Sequence, residues 1–554
     1  MISRHMNVTA IAFAALIFFI IGGCTPEEET EDESDPPEEE AADDEEADPE
    51  QEESDESYDY GVSAGHPDAV DAGMEVLEEG GSAADAAVAA AYAISVVEPF
   101  ASGIGGGGVA LIQEQGEAPE AYDYREVVPE DGIPASDIGV PGFVAGMTDI
   151  HADYGDSDWQ ELIDPAIDLA ESAEVSDLLA EQIQSSEERL PVEQLDQLYP
   201  DGAPLGPGDE LEQAELADTL REIRDDGGEA FYEGDIAEAL DSEIEGLDMD
   251  SLANYEVGRH EPATGEFAGY EVIGAPPPLP GANVIQALQI LEERGIAEEE
   301  RHSTAFIHNT AMAWRLSQQF FETDVGDPDF IDVPVEELTD SESNAGLAEE
   351  IPDDSLLSVD PEQPYGGMDP NTTHITVVDE EGTVVSMTNT ITNFWGSGEY
   401  AEGFFLNDQM ARFDIGRDGN NEPEPGRRSV TWSSPMIIAD EEGPVMGIGS
   451  PGGERIPIML TQVITDWAGN GADLEGAVEA PRFHIEENAL IMEEFPATEQ
   501  QDDLTDIGYS ELREPPTDLY FGSIQALAID RESSALSGAT DDRREGDWSS
   551  DTKD

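Results

Sequence analysis

Acidic side chains outnumber basic ones by 131 to 20 in this 554-residue chain, for a net charge of −111. With so few cations, almost every carboxylate must stay in water, because a buried unpaired charge is very costly. Any fold of this chain therefore wears a coat of acid around its core. The excess runs from Glu27 to Asp554 and enters segments that otherwise read as amphipathic helices. Nearly all the base is arginine, and the only lysine is Lys553. Such charge self-repels at low ionic strength. At molar salt the Debye length falls to about 3 Å and neighbouring carboxylates barely interact. The coat reads as that of a halophilic protein. It has no basic footprint, which excludes nucleic-acid binding by counterion release. Hydrophobic residues, at 38%, are ample for a core at this length. Length alone permits about two to four domains, or one large two-layer domain with insertions.

The chain opens as a leader. Arg4 and His5 precede an apolar run from Val8 to Ile21 that ends in Gly22-Gly23-Cys24. The run is shorter than the roughly 20 residues that span a bilayer. A basic start before a short apolar segment is the pattern of a secretory signal. Ile21-Gly22-Gly23-Cys24 also looks like a lipobox, with Cys24 as the lipidation site; the alternative is an uncleaved anchor. Residues 1–23 thus predict a signal peptide, and the remainder is expected at the extracellular face of the membrane, lipid-anchored or secreted. Cys24 is the only cysteine, so the mature fold has no intramolecular disulfide and no catalytic thiol. Residues 24–59 are rich in Glu, Asp, Pro and Ser and predict a disordered spacer. The folded part begins near Tyr60, and an acidic tail is expected from about residue 536.

Two motifs mislead. Gly61-Val62-Ser63-Ala64-Gly65 matches the G-x-S-x-G nucleophile elbow, but that motif needs a core strand before it and here follows the spacer. Gly103-Ile104-Gly105-Gly106-Gly107-Gly108 matches G-x-G-x-x-G, but a dinucleotide site needs a strand before and a helix after. Here Ala83 to Val97 reads as a helix and Val109 to Ile112 as a strand, so the order is reversed. These glycines predict a tight backbone turn. No HExxH or P-loop is present, and no histidine pair has metal-ligand spacing, so no cofactor or metal is called for.

The segment that carries chemistry runs from Asn371 to Gly398. Thr372 to Val378 and Thr383 to Thr390 are strand-like runs joined by a short loop, Glu380-Glu381-Gly382, with Gly382 where a positive φ is wanted. Antiparallel register then pairs Asp379 with Thr383 and brings Thr390 opposite Thr372. Threonine is also an ordinary strand residue, so this pairing leaves catalysis open. Met446-Gly447-Ile448 reads as a strand entering Gly449-Ser450-Pro451-Gly452-Gly453. Glycines after a strand let N–H groups converge as an oxyanion hole requires, or simply make a turn.

From about residue 60 to 535 the sequence resembles the gamma-glutamyltransferase (gamma-glutamyltranspeptidase) family. The matching motifs follow in order: His66-Pro67, Gly80 to Ala86, Val97 to Gly108, Asp123-Tyr124-Arg125-Glu126, Gly139 to Gly142, Asp164-Pro165-Ala166, Ala275 to Pro278, Thr372-Thr373-His374, Gly449 to Gly453 and Ala480 to His484. The resemblance implies an α+β fold, the four-layer αββα sandwich of N-terminal-nucleophile hydrolases. It implies a precursor that cuts itself between Asn371 and Thr372 into a large part (60–371) and a small part (372–554), which stay together as a heterodimer. Thr372 becomes the nucleophile and its freed α-amine, with an unperturbed pKa of about 8, the general base. The implied activity is cleavage of γ-glutamyl amides such as glutathione through an acyl-Thr ester, passed to water or to an amino acid or peptide. By matching position, Thr390 holds the Thr372 hydroxyl and Gly452 and Gly453 donate to the oxyanion. Arg125 clamps the substrate α-carboxylate and Gln409 contacts the glutamyl head.

The acyl pocket departs from the family. Where the family has Asp-Asp-Phe after Gln-Met, this chain has Ala411-Arg412-Phe413, which sets a cation where an acid meets the substrate ammonium. The family's Arg-Pro-Leu-Ser-Ser-Met-Ser-Pro reads Arg428-Ser429-Val430-Thr431-Trp432-Ser433-Ser434-Pro435; Thr431 keeps a hydroxyl and Trp432 does not. An Asn usually found two residues after the Thr390 position is Thr392, with Asn393 beside it. The alternatives are therefore an acylase or poly-γ-glutamate hydrolase with a different acyl pocket, or a lipid-anchored binding protein without catalysis. Arg412 could also turn outward, leaving Asp408 or Asp414 to meet the ammonium.

Overall fold

The computed structural model describes residues 57–296, 299–358, 371–414 and 419–552. The leader, Cys24 and the spacer up to residue 56 lie outside them. Runs rich in Val, Ile and Thr form two six-stranded sheets, antiparallel throughout. In chain order their strands are β1 (Tyr60–Ala64), β2 (Gly107–Gln113), β3 (Glu120–Asp123), β4 (Ala263–Phe267), β5 (Tyr270–Gly274), β6 (Thr373–Val378), β7 (Val384–Thr390), β8 (Met436–Ala439), β9 (Pro444–Gly449), β10 (Gln525–Asp530), β11 (Ala535–Gly538) and β12 (Asp547–Asp551). The first sheet is ordered β12-β1-β6-β7-β2-β3 and the second β11-β10-β9-β8-β5-β4.

The sheets pack face to face. Leu111, Val378 and Val384 of the first meet Ile273, Ile437 and Leu527 of the second in one buried cluster. Helices α1 (Pro67–Glu78) and α2 (Ala83–Val97) cover the outer face of the first sheet, with α3 (Trp159–Glu171) and α4 (Ala214–Asp226) behind them. The outer face of the second carries α5 (Gly281–Glu293), with α6 (Thr304–Asp324) and α7 (Ile456–Ile464) against it. Helix, sheet, sheet and helix make the expected αββα sandwich. With neighbours on both faces, β6 and β7 are buried at every position, so they show no polar alternation.

Helix α2 is the axle of the first layer. All of its residues are buried, and its alanine content lets neighbours approach closely. Ser82 and Asp85 close its N-terminus with a capping box. The Ala83 N–H donates to Asp379 Oδ2 at 2.9 Å, so the β6–β7 turn also caps this helix. Beyond its C-terminus the glycine run turns into β2. A Cβ on Gly106 would stand 2.3 Å from the Thr390 carbonyl oxygen, and one on Gly105 2.2 Å from that of Phe405. The glycines serve close backbone approach, as their order between helix and strand predicts. Ser63 lies within β1, flanked by β12 and β6, and forms no elbow.

Two findings concern the parts of the chain. Strands from both sides of Asn371–Thr372 interleave in the first sheet and meet edge to edge in the second, where β8 pairs with β5, so neither six-stranded sheet belongs to one part alone. The residues beyond 536, expected as an acidic tail, are instead folded: β11 and β12 form one edge of each sheet. The reason is ion pairing. Buried Asp541 accepts from Arg482 at 2.6 Å and from the Ile524 N–H at 2.6 Å, and Arg543 is bonded to Glu493 at 2.5 Å. Acids that read as solvated from composition are matched by rare arginines from elsewhere.

Candidate active site

The predicted hairpin register is observed. Thr373 pairs with Asn389 and Val378 with Val384, which continues to Thr372 opposite Thr390. Gly382 has φ 78° and its N–H donates to the Asp379 carbonyl at 3.0 Å, closing the turn. The chain is continuous through Asn371–Thr372, both buried. The Thr390 hydroxyl donates to the Asn371 carbonyl oxygen at 2.7 Å and accepts from the Thr392 N–H at 2.8 Å. The Asn371 N–H in turn donates to the Thr392 carbonyl at 2.9 Å. In the uncut chain Thr390 thus grips the carbonyl ahead of Thr372.

Below the hairpin, Gly449 ends β9 directly over His374: a Cβ there would stand 2.2 Å from the imidazole. His374 Nδ1 is 2.8 Å from the Thr388 hydroxyl and Nε2 is 3.1 Å from that of Thr376. Burial pushes His374 down to about 3, so it is a neutral structural imidazole. Just beyond Gly449 come Gly452 and Gly453, with φ 136° and 60°. Both lie in conformations that L side chains rarely adopt, which is why this loop needs glycine.

The acyl side is built around Gln409 and Arg412, the ends of one 3₁₀ turn. Gln409 Oε1 accepts from the Thr392 hydroxyl, and its Nε2 donates to the Ser429 hydroxyl at 2.8 Å. Hydrogen bonds thus join Asn371, Thr390, Thr392 and Gln409 in one chain. Arg412 does not turn outward; it is 4% exposed. Its charge acts on Asp408 and on Glu454, the residue after Gly453, and opposes the rise that burial imposes on each carboxyl. The Arg412 charge is therefore felt both beside its own turn and at the glycine loop. Asp408 is already committed, accepting from Asn393 Nδ2 at 2.6 Å and from the Asn393 N–H at 3.1 Å.

Two expectations change in detail. Arg125 is buried but engaged: Nε and Nη2 bond the Asp123 carboxylate at 2.9 and 2.5 Å, and Nη1 donates to the Ser429 carbonyl at 2.9 Å. Burial opposes ionisation of Asp123, but Arg125 and Arg428 hold its carboxyl below the usual range. In this uncut chain Arg125 tethers the segment at Ser429 instead of presenting a bare guanidinium. Trp432, at a position where the resemblance implies a serine hydroxyl, is a core residue: its ring packs 4.5 Å from Phe321 and 6.3 Å from Trp314, under the second sheet. Thr431 beside it is nearly buried.

Sequence reasoning missed Asp123, Ser429, Glu98 and Arg544. Glu98 follows α2, and burial raises it to about 8, against the pull of Arg544. Arg544 Nη1 donates to Asn371 Oδ1 at 2.7 Å. The scarcity of cations makes every arginine worth placing, but nothing in the sequence distinguishes Arg544 from the others.

Comparison with known proteins finds one family and one fold. A family profile described as Gamma-glutamyltranspeptidase matches residues 69–550. The chain is 37% identical over 493 residues to the capsule biosynthesis protein CapD proenzyme of Bacillus anthracis, covering 89% of this chain and 90% of that one. It is 31% identical over 532 residues to the glutathione hydrolase proenzyme of Bacillus subtilis, covering 88% and 90%. Its fold matches the crystal structure of cephalosporin acylase from Bacillus halodurans with TM-score 0.81 at 24% identity, over 89% of this chain and 96% of that one.

Proposed function

We propose how this chain works from one premise: it belongs to the gamma-glutamyltranspeptidase family and is an enzyme. It is made as a precursor that cuts itself between Asn371 and Thr372. The Thr372 hydroxyl attacks the Asn371 carbonyl carbon, the C–N bond breaks, and the hydroxyl proton passes to the departing Thr372 nitrogen. Water then opens the ester, leaving an Asn371 carboxylate and a free Thr372 α-amine. The observation that carries this reading is the 2.7 Å hydrogen bond from the Thr390 hydroxyl to the Asn371 carbonyl oxygen, which polarises the bond that must break. The proenzyme names of the two relatives support it.

The mature enzyme repeats the chemistry on a substrate amide. The Thr372 amine takes the hydroxyl proton as the hydroxyl attacks the acyl carbon, then delivers it to the leaving amine. Gly452 and Gly453 N–H groups receive the oxyanion, and loss of one such donor typically costs about 10²- to 10³-fold in rate. Water or an amine resolves the acyl-Thr ester. The substrate is an acyl amide that carries a carboxylate: a γ-glutamyl amide, or an acyl group with a further carboxylate or without the amine. Buried Arg412 favours the second class, because it repels a substrate ammonium that Asp408, held by Asn393, is not free to meet. The enzyme acts outside the cell in concentrated salt, tethered by lipid on Cys24.

Denaturing gels test the cut: wild type gives two fragments and Thr372→Ala only the full-length chain. Full-length chain alone from both would reject the reading. A substrate panel in high salt tests the acyl pocket. Faster turnover of glutaryl or poly-γ-glutamate substrates than of γ-glutamyl anilide supports the second class, and the opposite order rejects it.

A further inference from the structure

Asn371 is held at three points, and the third comes from far away in the chain. Its N–H and carbonyl are bonded to Thr392 and Thr390, which belong to the catalytic hairpin. Its side-chain oxygen accepts from Arg544 Nη1 at 2.7 Å, across 173 positions of sequence. Arg544 stands on a fixed mount. Its N–H donates to the Asp541 carbonyl at 3.3 Å, and Asp541 is gripped by Arg482 and the Ile524 N–H. Arg543 is bound to Glu493 and Asp541, and Asp547–Asp551 then pairs with Tyr60–Ala64. The charges facing Arg544 are Glu98, Asp541 and Arg455.

We propose that Arg544 is a positioning residue for self-cleavage, fixing the Asn371 side chain so that the carbonyl carbon before Thr372 faces the attacking hydroxyl. This rests on the self-processing reading above. Two hydrogen bonds hold the Asn371 main chain but leave the residue able to rock about them; the guanidinium adds a third fixed point, through the side chain, that opposes this motion. A cut needs the reacting atoms about 3 to 3.5 Å apart and aligned, and a displacement of about 1 Å costs on the order of 10²-fold. The same contact sets an order of events. Asn371 is held at all three points only after the last strand has closed against β1, so the chain is cut once the first sheet is complete and the two parts are already interleaved in it.

The test is a double-mutant cycle on the full-length chain, read as the half-time of fragment appearance after cell-free synthesis in high salt. Wild-type cleavage establishes the underlying reading by itself, so its failure is distinguishable from failure of this proposal. Arg544→Ala and Asn371→Ala are each expected to slow cleavage by about 10- to 100-fold, and the double variant no further than the slower single one. Cleavage of Arg544→Ala at the wild-type rate, or effects of the two changes that multiply, would overturn the proposal. Merely structural damage slows cleavage whichever residue stands at 371 and so multiplies. Folding is checked by melting both chains in the uncuttable Thr372→Ala background. If Arg544→Ala does not fold, the same cycle with Arg544→Lys decides between the same two outcomes.

Discussion

Arg412 is the residue whose charge says most about substrate. It stands where the resemblance implies an acid, is buried at the end of the Gln409 turn, and acts electrostatically on Asp408 and Glu454. A cation at low dielectric discriminates strongly by charge, because desolvation leaves the Coulomb term weakly screened. Arg412→Asp is therefore expected to shift the ratio of kcat/KM for γ-glutamyl anilide over glutaryl anilide by at least about 10-fold toward the glutamyl substrate. Steady-state kinetics in high salt with both anilides measures it, and an unchanged ratio would remove Arg412 from acyl recognition. The identity of Arg412 was legible in the sequence; its inward orientation was not, since an arginine in a 3₁₀ turn can point either way. Trp432 shows the same limit. The sequence shows only that it lacks the hydroxyl the resemblance implies there; Phe321 and Trp314 draw its ring into the core.

At the scale of elements, the β6–β7 hairpin does most of the positioning. Its register could be read from sequence because a β-strand has a period of two and the loop residues fix the turn. One turn residue works at longer range than the sequence suggests. The Asp379 carboxyl accepts from the Ala83, Glu381 and Thr383 N–H groups at 2.9, 3.1 and 2.9 Å, joining the hairpin to α2. Burial nevertheless raises Asp379 to about 6, from an ordinary 3.8. A folded-state value above the unfolded one means that the native chain binds more protons in that window. Asp379 thus makes stability fall as pH rises from about 3.8 to about 6. Asp379→Asn is expected to flatten that slope, while Asp379→Ala costs about 1–3 kcal/mol by stranding the α2 N-terminus. Denaturant titrations in high salt at several pH values read both effects. The pairing of residues 541–551 with the rest was not legible, because an acid-rich stretch looks solvated until its arginine partners, dozens of residues away, are in place.

Across the whole molecule the charge of −111 and the fold divide the work. The interior is an ordinary αββα sandwich with apolar clusters between and outside the sheets. The carboxylates are an exterior coat whose mutual repulsion opposes folding unless it is screened. The melting temperature is expected to rise by tens of degrees between about 0.1 M and about 3 M NaCl, as the Debye length shrinks from about 10 Å to below about 3 Å. Circular dichroism at matched protein concentration measures it, and a salt-independent melting temperature would contradict the role given to the coat. Interleaving of strands from both sides of residue 371 makes a second molecular expectation: after the cut the two parts co-purify without a covalent link.

In the proposed function one peptide bond, between Asn371 and Thr372, is both the first substrate and the source of the catalytic group. N-terminal sequencing of the smaller fragment from purified wild-type protein tests it most directly. The expected sequence begins Thr-Thr-His-Ile-Thr-Val, with Thr372 first. A fragment that begins at any other residue, or an enzyme that turns over its substrate with the chain intact, would contradict it.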